Sequence, residues 1–114
     1  MNPVDLLKLF DIDDEEFRRR FRDTALWRAR RRGLLRNAAI VLGNQRDPQA
    51  VQPLCRGITD AEPIVRGACA WALGQIGGPI SRDALSRQFA IESDSIVRNE
   101  IQLALGTSAA ESEP

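Results

Sequence analysis

The 114-residue sequence has no histidine, two cysteines and a single lysine, and these shortages narrow the chemistry available to the chain. Histidine is the commonest general base near neutral pH, so its absence argues against ordinary acid–base catalysis. Cys55 and Cys69 have no CxxC spacing and no neighbouring ligand cluster, so no zinc or iron–sulfur site is expected. Both lie in apolar-periodic segments and are predicted to be small buried hydrophobes; the alternative is a disulfide, which a cytosolic location disfavours.

Long apolar runs are also missing. No stretch of about 18 apolar residues exists, and the N-terminus lacks a signal-peptide pattern, so we expect a cytoplasmic chain with no membrane partner.

The 16 basic and 16 acidic residues give a formal net charge of zero, and the average charge therefore predicts no polyanionic partner. The length is that of one domain with a core of its own.

What the sequence does contain is a succession of helix signals. No run of four to eight residues alternates apolar and polar residues with β-branched enrichment, so the fold class expected is all-α. Basic N-terminal helices are predicted over 12–44, with a break at Gly33, and helix pairs over 47–76 and 80–106. Asp47-Pro48 is a typical helix start. The single domain is predicted to span 1–106, with an end at Gly106 and a frayed acidic tail over 107–114.

An internal repeat organises these helices. The segments 34–44, 64–75 and 96–106 superimpose, which brings Arg36, Arg66 and Arg98 into register. Helix pairs repeated at a period near 30 predict an α-α superhelix, or solenoid. The segment 65–77, VRGACAWALGQIG, resembles the HEAT-like repeat also found in phycobilin lyases.

The repeated arginines have a structural interpretation. A guanidinium fork can bind a carboxylate at two points, so Arg66 and Arg98 are predicted to pair with the acid of the preceding loop, Asp60 or Asp94. Such pairs would cross-link adjacent repeats.

Basic charge is concentrated in one part of the chain. Nine arginines and one acid, Asp23, lie between Arg18 and Arg36. A solvated face neutralised by the acids at 11–16 is one interpretation, and a phosphate-bearing partner such as hairpin RNA is the other. The predicted phosphate contacts are Arg28, Arg31, Arg32 and Arg36, followed by Arg18, Arg19 and Arg22. On a helix, Arg28, Arg31 and Arg32 are expected to share one face, which Arg36 extends if the chain does not turn at Gly33.

A more specific resemblance lies in the same segment. Residues 15–44 carry an E-x-F-x-x-x-F pattern, then Thr24 and Arg28, then a G-L-x-R-N string that leads to L-G-N. The matching positions are Glu15, Phe17, Phe21, Thr24, Arg28, Gly33, Leu34, Arg36, Asn37, Leu42, Gly43 and Asn44. This pattern resembles the start of the C-terminal region of epoxyqueuosine reductase, except that Asp23 stands where that family has glycine. The resemblance covers residues 4–106.

The resemblance implies a HEAT-like C-terminal fragment of an oxidoreductase of tRNA queuosine modification. In that family the cobalamin and the [4Fe–4S] clusters belong to other domains, so no cofactor, metal site or catalytic residue is expected in this chain. The implied partners are the tRNA anticodon stem-loop and the catalytic part of the enzyme. One alternative is a free-standing scaffold for an acidic protein, and another is an accessory of the phycobilin-lyase kind. Exposed terminal repeats would allow self-association.

Overall fold

The structure is a computed structural model, which describes Leu7, Phe10 and residues 25–112, with side chains described for 28–106 and for those two N-terminal residues. Residues 25–112 form five α-helices and one short 3₁₀ helix, and the described part of the chain contains no strand. The α-helices are α1 (Ala25–Gln45), α2 (Val51–Gly57), α3 (Pro63–Ile76), α4 (Pro79–Ile91) and α5 (Ser95–Ser112), and the 3₁₀ helix is Pro48–Ala50. The all-α prediction is confirmed.

The first described helix is longer than the sequence predicted. α1 runs through Gly33 without interruption, so the predicted break at that residue is wrong. A glycine inside a helix costs about 1 kcal/mol relative to alanine. Packing outweighs that cost here, because Leu35, Ala39 and Leu42 are buried against α3 along the next two turns.

Several helix starts agree with the sequence signals and others do not. The Asp47 carboxylate accepts a hydrogen bond from the Gln49 amide at 2.9 Å, with Pro48 next in the chain. α4 begins at Pro79, one residue before the predicted start of the last helix pair at residue 80. α5 continues through Gly106 to Ser112. The predicted helix end at Gly106 is therefore wrong, and 107–112 lie in α5.

The helices form two layers. α1, α3 and α5 lie side by side in one layer, and α2 and α4 pack behind them. α3 is central and contacts the other four described α-helices, which explains why it is apolar on nearly all sides. The buried core is built from Leu35, Leu42, Leu54, Ile58, Val65, Leu73, Leu85, Val97 and Ile101, with small residues between them.

Glycine permits the close approach of helices within the first layer. A Cβ atom placed on Gly43 would lie 2.9 Å from the Cα of Ala72, and one on Gly74 would lie 3.0 Å from the Cα of Ala104. These two glycines occupy the same position in successive repeats, so the repeat preserves the distance between α1 and α3 and between α3 and α5. Gly106, the third copy, has no such neighbour within 4 Å.

Candidate nucleic-acid interface

A row of exposed arginines runs along α1. Arg28, Arg32 and Arg36 are all exposed and are spaced four residues apart. Each step of four residues advances about 6 Å along an α-helix, so successive side chains emerge on one side of α1. The uninterrupted course of α1 at Gly33 is what places Arg36 in line with the other two. We call these three residues the arginine row.

The arginine row remains accessible despite local contacts. Arg32 lies 3.8 Å from a Glu62 carboxylate oxygen, and its side chain is 46 % exposed. Exposed ion pairs of this kind contribute little to stability, so an incoming anion can compete for the guanidinium. Arg36 donates to the side-chain oxygen of Asn37 at 3.4 Å, also at the surface. The described stretch 28–36 contains no acidic residue, and the carboxylates near it come from the loop between α2 and α3, where Asp60 binds Arg31 and Glu62 lies beside Arg32.

Arg31 occupies a different environment from its neighbours. It is only 7 % exposed, and its two amino groups donate to the two carboxylate oxygens of Asp60 at 3.2 and 2.6 Å. The expectation that Arg31 shares one face with Arg28 and Arg32 is wrong, because residue 31 lies on the buried side of α1. Its guanidinium is directed at the loop between α2 and α3 and fixes α1 to that loop.

Arg66 makes the equivalent connection one repeat further along. Its Nε and Nη2 atoms donate to Glu92 at 2.8 and 2.9 Å, while Nη1 donates to the backbone oxygens of Asp60 and Ala61. The predicted pairing with the Asp60 carboxylate is therefore wrong. Hydrogen bonds from Arg66 lower the pKa of Glu92 to about 2 in spite of its burial, with further help from Gln88. The same bonds raise the pKa of Arg66.

Arg98 binds backbone rather than a carboxylate. Its Nη1 donates to the carbonyl oxygens of Phe89 and Glu92, each at 3.0 Å, and its guanidinium lies 4.0 Å from the centroid of the Phe89 ring. The carboxylate of Asp94 instead accepts from the amides of Ile96 and Val97 and so caps α5. The predicted pair between Arg98 and Asp94 is replaced by these two arrangements.

Sequence reasoning missed the repeated role of two loop acids. Asp60 accepts the amide of Glu62 at 2.9 Å and binds Arg31, while Glu92 accepts the amide of Asp94 at 3.1 Å and binds Arg66. Each acid thus orders its own loop and joins that loop to the helix of the preceding repeat. The signal in the sequence was the spacing of these acids, which equals one repeat.

Other features limit the chemistry of the described residues. Arg18, Arg19 and Arg22, together with the side chain of Trp27, lie outside them. Within residues 25–112 no group of histidine, cysteine and acidic residues could hold a metal ion. Cys69 is buried and Cys55 half-buried, both as free thiols, and burial raises the pKa of each. No helix of the described part is long and apolar enough to cross a membrane.

A groove of about 630 Å³ adjoins the arginine row on the outer surface of the first layer. Its floor is α3, with Ile64, Gly67 and Trp71, and its walls are α1 and α5. Arg36 lies on the α1 wall and Glu100 on the α5 wall, so the two walls carry opposite charge.

Comparisons with known proteins agree with the fold described above. A profile of HEAT repeats matches residues 24–106. The chain belongs to the HEAT-repeat family. The profile covers α1 to the middle of α5, and the HEAT-repeat architecture predicted from the 30-residue period is confirmed.

The HEAT-repeat chain is also similar to one part of a larger enzyme. Epoxyqueuosine reductase of Listeria monocytogenes serovar 1/2a is 34 % identical over 99 residues, which are 85 % of this chain and 26 % of that protein. Bacillus subtilis epoxyqueuosine reductase is 33 % identical over 100 residues, with coverages of 85 % and 26 %. The predicted resemblance is confirmed, and the chain spans about a quarter of the length of these curated relatives.

A solved structure gives the same result in three dimensions. The crystal structure of epoxyqueuosine reductase with a tRNA-Tyr epoxyqueuosine-modified tRNA stem loop superimposes with a TM-score of 0.74. Sequence identity in that comparison is 29 %, and the match covers 91 % of this chain and 28 % of that chain. The HEAT-repeat fold therefore occurs in an enzyme that has been crystallised with an RNA hairpin.

Proposed function

We propose that this chain is the HEAT-like C-terminal fragment of an epoxyqueuosine reductase, a tRNA-modifying oxidoreductase of the cytoplasm. Its function is to bind the tRNA backbone near the anticodon stem-loop and to dock to the catalytic domains. The observation that carries the RNA half is the arginine row, which is exposed, evenly spaced and free of acids between positions 28 and 36. The relative crystallised with a tRNA stem loop supports the choice of RNA.

The chemistry of the row suits phosphate rather than base edges. Each guanidinium is planar and can donate two hydrogen bonds to one phosphate, and phosphate contacts position an RNA without reading its sequence. In this proposal Arg28, Arg32 and Arg36 touch the backbone. Arg31 acts indirectly, because its bond to Asp60 holds α1 in place. Arg18, Arg19 and Arg22 are further candidate phosphate contacts.

The catalytic steps are assigned to other domains. Cobalamin and [4Fe–4S] clusters would be held there, and the present chain contributes affinity and position. The absence of histidine and the raised pKa of both thiols support a non-catalytic role. The alternative function is a free-standing scaffold that binds proteins, and the apolar groove between α1 and α5 favours it.

Binding of a tRNA-Tyr anticodon stem-loop separates the two functions. The test variant carries Arg28→Gln, Arg32→Gln and Arg36→Gln, and the matched control carries Arg46→Gln, Arg56→Gln and Arg87→Gln at other exposed positions. Both remove three charges. We expect the first variant to bind the RNA about 100-fold more weakly than the parent at low salt, while the control binds within about threefold. Equal losses in both variants, or no binding by the parent chain, would contradict the RNA role.

A further inference from the structure

The outer surface of the first layer carries more exposed apolar residues than its role as a helix layer explains. The repeat places a large apolar residue at its first and eighth positions in all three helices. These are Leu34 and Val41 on α1, Ile64 and Trp71 on α3, and Ile96 and Leu103 on α5. Five of the six are exposed, Ile96 by 74 %, Leu103 by 58 % and Ile64 by 48 %, whereas Trp71 is half-buried against the core. We call these six residues the repeat stripes.

The spacing within each stripe equals two helical turns. Residues seven apart on one side of an α-helix are separated by about 10.5 Å along its axis. A second amphipathic helix presents its apolar side chains at the same interval, which is how helices dock into grooves. Gly67 leaves room for such a helix on the floor of the groove, since a Cβ there would approach only Val97 and Glu100, each at 4.0 Å.

Charge on the two walls distinguishes a helix from an RNA strand. Arg36 lies on one wall, whereas Asp94 and Glu100 lie on the other. The Asp94 carboxylate is occupied by the amides of α5, but among the described residues Glu100 has no hydrogen-bond or ion-pair partner. A carboxylate beside an apolar groove repels phosphate and attracts a basic side chain. The proposed RNA contacts are therefore expected on the α1 side, and the groove itself is suited to a polypeptide.

We infer that the groove between α1 and α5 is a docking site for one amphipathic helix of a partner polypeptide. That helix has an apolar stripe against Ile64, Trp71 and Ile96, a basic residue facing Glu100 and an acidic residue facing Arg36. The inference rests on the docking half of the proposed function and identifies the surface and the chemistry of its partner. It does not depend on the phosphate contacts proposed for Arg28 and Arg32. Arg36 lies at the edge shared by the two surfaces, so a docked helix would compete with the RNA backbone for that residue alone.

Synthetic peptides test this site directly. The main probe is a helix-stabilised peptide of about 15 residues with leucine at i, i+4, i+7 and i+11, glutamate along one flank of that stripe and lysine along the other. Two comparison peptides carry glutamate on both flanks or lysine on both flanks. If the peptide helix lies in the groove in the opposite direction, its two flanks face the opposite walls. Binding therefore depends on which charges the two flanks carry and not on which flank carries each charge. Binding to the full chain is measured by fluorescence anisotropy.

We expect the mixed-charge peptide to bind best, with the parent chain favouring it about tenfold over either single-charge peptide. Gly67→Phe fills the groove and should abolish binding, and Ile64→Gln should weaken it about tenfold. Ile80→Gln and Ile91→Gln are the matched controls, because both isoleucines are exposed on α4 outside the groove. Glu100→Lys should reverse the preference toward the peptide with glutamate on both flanks, an outcome that general loss of structure cannot produce.

Three results would overturn the inference. One is no binding of the mixed-charge peptide at millimolar concentration. Another is a loss of stem-loop RNA binding in Gly67→Phe as large as in the arginine-row variant, since the groove would then be an RNA surface. The last is a dimer, detected by sedimentation, that Gly67→Phe disrupts, since a second copy would then occupy the groove. If the peptide binds and RNA does not, the docking site stands and the result favours the alternative function, a free-standing protein-binding scaffold.

Discussion

The guanidinium of Arg66 on α3 and the carboxylate of Glu92 before α5 form a two-point ion pair, with distances of 2.8 and 2.9 Å. The Glu92 side chain is 1 % exposed and that of Arg66 is 14 % exposed, so the pair is largely removed from water. Arg31 and Asp60 repeat this arrangement between the preceding elements. The two pairs join successive repeats, and the Arg31–Asp60 pair holds the helix that carries the arginine row.

Removal of one member of the buried pair should destabilise the chain strongly. Arg66→Gln leaves the Glu92 carboxylate without its main partner, and we expect the free energy of unfolding to fall by about 3 kcal/mol at pH 7. Chemical denaturation measures this change. Arg87→Gln is the control, because the Arg87–Asp83 pair is exposed and its loss should cost under about 0.5 kcal/mol. Similar losses in both variants would show that burial does not strengthen the Arg66 pair.

The same pair predicts how stability depends on pH. Since folding lowers the pKa of Glu92 from 4.5 to about 2, its stabilising contribution is complete above the unfolded pKa and is lost as the pH falls toward 2. The free energy of unfolding should therefore decrease between about pH 5 and pH 2. The Glu92→Gln variant lacks this carboxylate, so its free energy of unfolding should vary less with pH over the same range. An equally steep curve in the variant would assign the acid sensitivity to other carboxylates.

The difference between Arg31 and Arg28 follows from burial. Arg31→Gln removes both bonds to Asp60 and should lower the free energy of unfolding by about 2–3 kcal/mol, whereas Arg28→Gln should change it by less than about 0.5 kcal/mol. We expect Arg28→Gln to reduce the salt dependence of the affinity for the stem-loop RNA. Arg31→Gln should leave that salt dependence unchanged in the fraction of the protein that remains folded. A stable Arg31→Gln variant with a reduced salt dependence would make Arg31 a direct phosphate contact.

Replacement of glycine by alanine should have opposite effects on stability at Gly74 and at Gly33. At Gly74 the new Cβ would lie 2.7 Å from the Cβ of Ala104, so Gly74→Ala forces α3 and α5 apart at a cost of about 1–3 kcal/mol. At Gly33 nothing lies within 4 Å, so Gly33→Ala should stabilise α1 by about 0.5–1 kcal/mol through helix propensity. Thermal denaturation compares the two. A stabilising Gly74→Ala would contradict the close packing of α3 and α5.

The repeat and most helix starts could be predicted from the sequence because they depend on local signals. Asp47 and Asp94 each cap the nearest helix, as aspartate does before a helical run. The course of α1 through Gly33 could not be predicted in this way, since packing against α3 decides it. The inward direction of Arg31 likewise depends on the rotation of α1 relative to the loop at Asp60, and no local pattern fixes that rotation.

The partner of Arg66 was missed for a related reason. The sequence favoured the nearest preceding acid, but the fold brings Glu92 to Arg66 from 26 residues further along the chain. The repeat stripes were also overlooked, because an apolar residue in a helical period is ordinarily assigned to the core. Only the positions of α1, α3 and α5 in one layer show that Ile64 and Ile96 lie on its outer surface.

The salt dependence of stem-loop binding tests the phosphate-contact account most directly. Affinity for a tRNA-Tyr anticodon stem-loop is measured from low to physiological salt for the parent, the arginine-row variant and the Arg46, Arg56 and Arg87 control. Each phosphate contact contributes about 0.7–0.9 to the slope of log affinity against log salt. We predict that the arginine-row variant loses about two units of slope while the control keeps the parental slope. Parallel slopes for all three proteins would contradict the account.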